Sequence, residues 1–177
     1  MKLTQEQLRT ISKEMDFTFD KNTVFIETGT YKGETCFEVQ SLFDEIHTIE
    51  IIPSLYESFL KNKPSNVFAH LGDSAKKLLD VYDGANKVIF WLDGHYVSNF
   101  ERWSNIDCPL LEEVKIINSK YTQECLILID DVRLFDTNTS ENWSGINSQS
   151  ILEIVKDRII KFRFFGDVMA LNIKAVE

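Results

Sequence analysis

The sequence predicts an α/β fold: a seven-stranded, mostly parallel sheet with helices on both faces and a C-terminal antiparallel hairpin. Three observations carry this. Short apolar runs alternate with helical segments along the whole chain, which argues parallel strands joined by right-handed crossovers. The run CLILI at 125–129 is uniformly apolar, as a strand buried on both faces should be. The chain then closes with two consecutive strand-like runs, so the last strand is expected to run antiparallel.

Each element can be read in order. MKLTQEQLRTISKEMDF opens the chain as an amphipathic helix, too polar for a secretory signal. VFIET at 24–28 is the first strand and ETCFEVQSLF the helix after it. IHTIE at 46–50 is the second strand, and PSLYESFLKN carries a proline at a helix start. NVFAH at 66–70 reads as a third strand before the helical SAKKLLDVY. KVIFWL at 87–92 is the fourth, and PLLEEVKIINS at 109–119 has apolar residues at helical spacing. After CLILI comes a helix over 148–157, then two strands around Gly166 and Asp167. No linker or repeat divides the chain, and 177 residues with 44% hydrophobic content suit one core, so a single domain spans 1–177.

Composition excludes several classes. Acids outnumber bases, 28 to 19, and no Lys/Arg run could neutralise a phosphate backbone, so nucleic acid is not expected as a partner. Cys36, Cys108 and Cys125 are widely spaced and read as buried small hydrophobes in a reducing compartment. No apolar run reaches the length of a membrane span, and a cytoplasmic location follows.

Three stretches point to a nucleoside. In FIETGTYKGET at 25–35 an apolar strand ends in Glu27, and Gly29 and Gly33 bracket a turn into a helix. Gly29 permits a tight turn, and Gly33 lets the helix start close to the strand and to a ligand. An ordinary strand-to-helix turn reads the same way. Glu50 ends the next strand, where an acid can accept both hydroxyls of a ribose, followed by Ile51. Gly72-Asp73-Ser74 follows the third strand, and Asp73 there can meet an adenine amino group or cap the helix that begins beside it.

On these residues the chain resembles the class I S-adenosylmethionine-dependent methyltransferases, from Val24 to the terminal hairpin. The resemblance implies a Rossmann-like sheet and S-adenosylmethionine as cofactor. It places the turn from Glu27 to Gly33, with Thr28, Thr30, Tyr31 and Thr35, under the methionine and ribose. Glu50 would hold the ribose, and Gly72, Asp73 and Ser74 would meet the adenine. Tyr31 departs from the commonest form, which has a further glycine there.

Two more stretches carry reaction chemistry. FWLDGHY puts Asp93 and His95 at the mouth of the fourth strand, and IDDVR puts Asp130 and Asp131 at the end of the fifth. Three converging carboxylates need a cation or protons, and oxygen ligands suit Mg2+ or Mn2+. This pairing is similar to the sugar O-methyltransferases of antibiotic and surface-glycan pathways. The resemblance implies a metal on Asp93, Asp130 and Asp131. Those enzymes often read D-G-D, with the second acid the base; here His95 takes that place, a suitable base near neutral pH. Alternatively Asp130 caps a turn and His95 bonds a loop.

The segments 97–107 and 132–147 are long and carry Phe100, Trp103, Phe135 and Trp143, whose faces suit a sugar ring or pack inward. Arg133 can pair with the carboxylates or meet an anionic acceptor. The expected activity is methyl transfer to a hydroxyl of a small-molecule or glycan acceptor. The competing readings are a nicotinamide- or nucleotide-binding Rossmann-type enzyme, which needs a G-x-G-x-x-G turn that is absent, and a metal-dependent glycosyltransferase, which leaves Glu27 and Glu50 unexplained. A catalytically silent binding module is a third. Whether the chain works alone, as a homodimer or within a larger enzyme is open.

Overall fold

The computed structural model describes residues 2–81, 84, 86–96 and 101–176. Seven strands form one sheet: β1 (Val24–Thr28), β2 (Ile46–Glu50), β3 (Val67–Leu71), β4 (Lys87–Leu92), β5 (Glu124–Ile129), β6 (Ile159–Phe165) and β7 (Val168–Ile173). Their order is β3-β2-β1-β4-β5-β7-β6. Neighbours among β1 to β5 pair in parallel, and β7 is antiparallel to β5 and to β6. The expected fold class is therefore the observed one, with the last strand reversed. Between β1 and β4 the chain changes direction across the sheet, the place where sheets of this kind bind ligands.

Two-residue periodicity sorts the apolar side chains onto two faces. Val24, Ile26, Phe90 and Ile127 belong to a core shared with Leu78, Leu110, Val114 and Ile151, from the segments α4 (Ser74–Lys77), α5 (Leu110–Lys120) and α6 (Ser148–Val155) and the turn after α4. Phe25, Ile89, Trp91 and Leu128 belong to a second core with Leu8, Cys36 and Phe59, from α1 (Gln5–Glu14), α2 (Glu34–Val39) and α3 (Pro53–Leu60). All three cysteines are buried. Thr4 and Gln7 close a reciprocal cap on α1, which fixes the start of the helix that covers Trp91.

Several boundaries differ from the sequence reading, most by one or two residues, and three of them bear on the site. β3 starts and ends one residue later than 66–70. The helix after β1 ends at Val39 and continues as a 3-10 turn over Gln40–Leu42. The helix after β3 stops at Lys77 instead of running towards Tyr82, which lies outside the described residues. The cause is long-range. The Tyr121 hydroxyl reaches the carbonyls of Leu78 (3.0 Å) and Val81 (2.7 Å), and Lys120 Nζ donates to the same two carbonyls, so side chains of α5 take acceptors that a longer helix would use itself.

The hairpin is tied to the rest by Arg158, whose guanidinium donates to the carbonyls of Lys174, Asn118 and Gln123 at 2.8–3.0 Å. No helix among the described residues is long and apolar enough to cross a membrane.

Gly29 is the tightest joint between fold and site. Its φ is +84°, and a Cβ there would lie 2.4 Å from the backbone oxygen of Asp93. Left-handed backbone and a backbone clash add, so Gly29→Ala is expected to destabilise the protein by about 2 kcal/mol or more, read as a lower urea midpoint at unchanged m-value. An unchanged midpoint would show that β1 and β4 can part without penalty.

Candidate functional site

The register of the central strands builds the site. Thr28 pairs with Leu92 and Leu92 with Ile129, so the residues that follow, Gly29, Asp93 and Asp130, arrive side by side. The Asp93 N–H donates to the Thr28 carbonyl (3.2 Å) and the Asp130 N–H to that of Leu92 (3.1 Å). Beyond these ends the loops enclose a cleft of about 600 Å3. That size is typical of a site for a small molecule or cofactor.

One half of the cleft is lined by Gly29, Tyr31, Glu50, Ile51, Leu55, Gly72, Asp73 and Ser74. Tyr31 has φ +49°, a left-handed conformation that explains why glycine is the common residue in such turns. The Glu50 carboxylate accepts from the backbone N–H of Tyr31 (2.7 Å) and of Ile52 (2.9 Å). The Ile51 N–H also acts on this carboxylate, which leaves acceptor capacity for a ligand hydroxyl. Burial raises the pKa of Glu50, against the pull of those N–H groups. Asp73 caps α4 through Ala75 N (3.1 Å) and also lines the cleft, so its two readings coexist.

Five residues expected around the cofactor do not line the cleft. Glu27, Thr28, Thr30, Gly33 and Thr35 lie behind it. Glu27 shares a sheet face with Phe25 by strand alternation and points towards α2, where its carboxyl accepts from Thr48 (2.7 Å) and Cys36 (3.0 Å). Thr30 bonds Thr48 (2.6 Å), and Thr35 accepts from the N–H of Leu3 (3.3 Å). Gly33 sits under the Phe59 ring, which a Cβ would meet at 2.2 Å. These residues shape the turn from below.

The other half holds Asp93, His95, Tyr96, Trp103, Ile106, Asp131, Arg133 and Glu141. His95 is its centre. Nε2 lies 3.0 Å from Asp131 Oδ2 and 3.7 Å from Asp93 Oδ1, and Nδ1 lies 2.7 Å from Glu141 Oε2. Burial opposes the charged ring, but the bond to Asp131 and the charges of Glu141 and Asp93 raise its pKa to about 9. Burial would raise Asp131, yet the bonds from His95 and Arg133 bring its carboxyl down to about 2. Asp93 goes the other way, lifted to about 7 by burial with Asp130 and Asp131 nearby. Arg133 pairs with Asp131 and Asp167.

The expected metal trio is split. Among the described residues, one ligand atom each from Asp93, His95 and Asp131 lies within 4.8 Å of the others, as do Asp130, Asp131 and Asp167. Asp131 belongs to both sets and Asp130 only to the second. Asp131 has φ +61°, which swings its side chain into the cleft while Asp130 stays buried at the strand end. Of the aromatic residues expected to receive an acceptor, Trp103 is 51% exposed on the cleft wall, whereas Trp143 and Phe135 pack inward against each other at 6.3 Å. Phe100 lies outside the described residues. Glu141 escaped the sequence reading, as did Glu113, a buried acid of α5 beside Ser74 and Thr28.

No family model and no curated protein sequence matches the chain. Solved structures do. A Clostridium thermocellum protein described as an rRNA methylase superposes with a TM-score of 0.65 at 12% identity, covering 99% of each chain. An rRNA methylase from Streptococcus thermophilus gives 0.56 at 10% identity, covering 100% of this chain and 99% of that one. A Podospora anserina methyltransferase with S-adenosylhomocysteine bound gives 0.59 at 17% identity, covering 88% and 72%. The chain has the Rossmann-like methyltransferase fold. At these identities the likeness extends to the fold and no further.

Two buried acids behind the methyltransferase-fold cleft make stability depend on pH. Burial lifts Glu27 and Glu113 from 4.5 to about 7, against hydrogen bonds from Cys36 and Thr48 for the first and the nearby hydroxyls of Ser74 and Thr28 for the second. A raised carboxyl favours the protonated folded state, so the stability it contributes is present below pH 4.5 and lost as pH rises through about 7. Glu27→Gln with Glu113→Gln should therefore gain in melting temperature relative to the parent protein as pH goes from 4.5 to 7. A difference that is flat with pH would exclude the shifts.

Proposed function

We propose that the chain is an S-adenosylmethionine-dependent O-methyltransferase acting on a hydroxyl of a sugar or surface glycan. The observation that carries this reading is the division of one cleft into two halves. Glu50 and Asp73 offer acceptors to a nucleoside in one half, and a histidine between carboxylates stands in the other. The fold supports the cofactor, and so does the donor set: a carboxylate with free acceptor positions, an apolar wall from Ile51 and Leu55, and a turn in left-handed backbone at Gly29 and Tyr31.

S-adenosylmethionine, when bound, supplies an electrophilic methyl on sulfonium. The protein's residues do the rest. Trp103 offers an aromatic face to a pyranose ring at the cleft wall. A hydroxyl placed beside Asp93 and His95 can give its proton to Nε2 only when the ring is deprotonated, so transfer is expected to rise with pH towards about 9, while Nδ1–H stays hydrogen-bonded to Glu141. With S-adenosylmethionine bound, transfer to that oxygen would require the hydroxyl to be held in line with the donor, so orientation by the cleft residues would supply much of the rate. A divalent cation fits Asp93 and Asp131, the two carboxylates that flank the ring and reach one point. Such ions keep several waters or substrate oxygens for their remaining positions, and the ion would lower the pKa of a coordinated hydroxyl. Glu101, Asp107 and Glu141 also line this half, which suits an uncharged acceptor over a phosphate-bearing one.

Calorimetric titration with S-adenosylhomocysteine is expected to give micromolar binding, weakened about tenfold or more in Glu50→Ala through loss of charge-assisted hydrogen bonds. No binding to the parent protein would overturn the methyltransferase reading. Mn2+ titration followed by electron paramagnetic resonance should detect a site that is lost in Asp131→Asn. Free Mn2+ at all ratios would remove the cation from the proposal and leave the rest standing.

A further inference from the structure

We propose that Glu141 is the positioning residue of this site, setting which nitrogen of His95 faces the acceptor; the role rests on the methyl-transfer reading of the cleft. Glu141 lies 46 residues from His95 in sequence, in the loop between β5 and α6, yet its Oε2 is 2.7 Å from Nδ1. The Tyr96 carbonyl is the other neighbour of Nδ1, at 3.1 Å. A carboxylate and a carbonyl only accept, so two acceptors at Nδ1, the nearer at 2.7 Å, favour a hydrogen there over Nε2, whose hydrogen-bond neighbour is Asp131 at 3.0 Å. Nε2 is then the nitrogen left facing Asp93 and Asp131. This is the logic by which a carboxylate orients a catalytic or metal-facing histidine.

Glu141 is itself held. The Trp143 indole N–H donates to the same Oε2 (3.1 Å), and the Trp143 ring stands edge-on to His95 at 5.3 Å. Trp143 is 2% exposed, and the Glu141 side chain is 12% exposed. A carboxylate that is mostly buried needs such partners, and the indole and imidazole N–H groups supply them. The loop is anchored next door, where the Asn142 N–H donates to Asp107 Oδ2 (2.9 Å). Asp107 also accepts the Tyr96 N–H on its carbonyl (2.6 Å). One short segment therefore fixes both the histidine's backbone neighbour and the acid that orients its ring.

The test compares Glu141→Gln, Glu141→Asp and Trp143→Phe with the parent protein. Long-range proton–nitrogen correlation spectra resolve the ring nitrogens of the three histidines, His47, His70 and His95. The expected result is a change of the His95 nitrogen shifts in Glu141→Gln, a smaller change of the same sign in Trp143→Phe, and return towards the parent pattern in Glu141→Asp. The affinity for S-adenosylhomocysteine should stay within twofold throughout, because Glu141 faces the acceptor half. With an acceptor in hand, kcat is expected to fall roughly 10–100-fold in Glu141→Gln at unchanged KM for the donor. Parent-like His95 nitrogen shifts in Glu141→Gln would overturn the positioning role. Failure of the parent protein to bind S-adenosylhomocysteine would sink the methyl-transfer reading instead, and the spectra tell the two failures apart.

Discussion

Thr28, Leu92 and Ile129 lie side by side in the sheet, and the chemistry of the cleft hangs on that register. A slip by one residue in any of these strands would turn its apolar side chains to the opposite face, so two cores pin the register at once. With the strand ends aligned, Gly29, Asp93 and Asp130 can only emerge together. The closeness is extreme at Gly29, which has room for a hydrogen against the Asp93 carbonyl and none for a methyl. Packing of ordinary valines and isoleucines thus decides where carboxylates meet, at a distance from any of them.

The meeting is electrostatically expensive, and the surroundings answer it in two ways. On the acceptor side Asp131 and Glu141 are matched by cations, since His95 stands between them and Arg133 bridges Asp131 to Asp167, while Asp93 is lifted to about 7 by burial. Behind the cleft, Glu27 and Glu113 make no ion pair among the described residues and are lifted to about 7 by burial. Charge is kept where a partner exists and suppressed where none does. Asp131 and Glu141 line the half of the cleft that the proposed function gives to the acceptor.

How much of this was legible in the sequence depends on the range of the interaction. β1, β4 and β5 were read to within a residue because burial on both faces leaves a local signature in VFIET, KVIFWL and CLILI. Glu50 and Asp73 were legible because a strand end and the residue after it carry their position with them. The end of α4 was not legible, since it is set by Lys120 and Tyr121 about forty residues further on. Glu27 was assigned to the cleft by analogy with other turns, although strand alternation already put it on the face of Phe25. Glu141 left no local sign at all. Its partner is reached only through tertiary folding of a polar loop, where any acid looks like a solvated one.

Asp130 and Asp131 show how little separates two roles. They are adjacent and chemically identical, and sequence gives no reason to part them. The backbone does. Asp130 prolongs the extended line of β5 and is buried with it, whereas Asp131 takes φ +61° and turns out of the strand. Aspartate tolerates that conformation better than most residues, and its short side chain can bond locally while doing so. The strained residue is the one that meets His95, Arg133 and the cleft. A conformation that works against the sheet stands where it aims a carboxylate at His95, and within the proposed function that favours giving the proton-handling role to Asp131 and its histidine and not to the pair of aspartates as a unit.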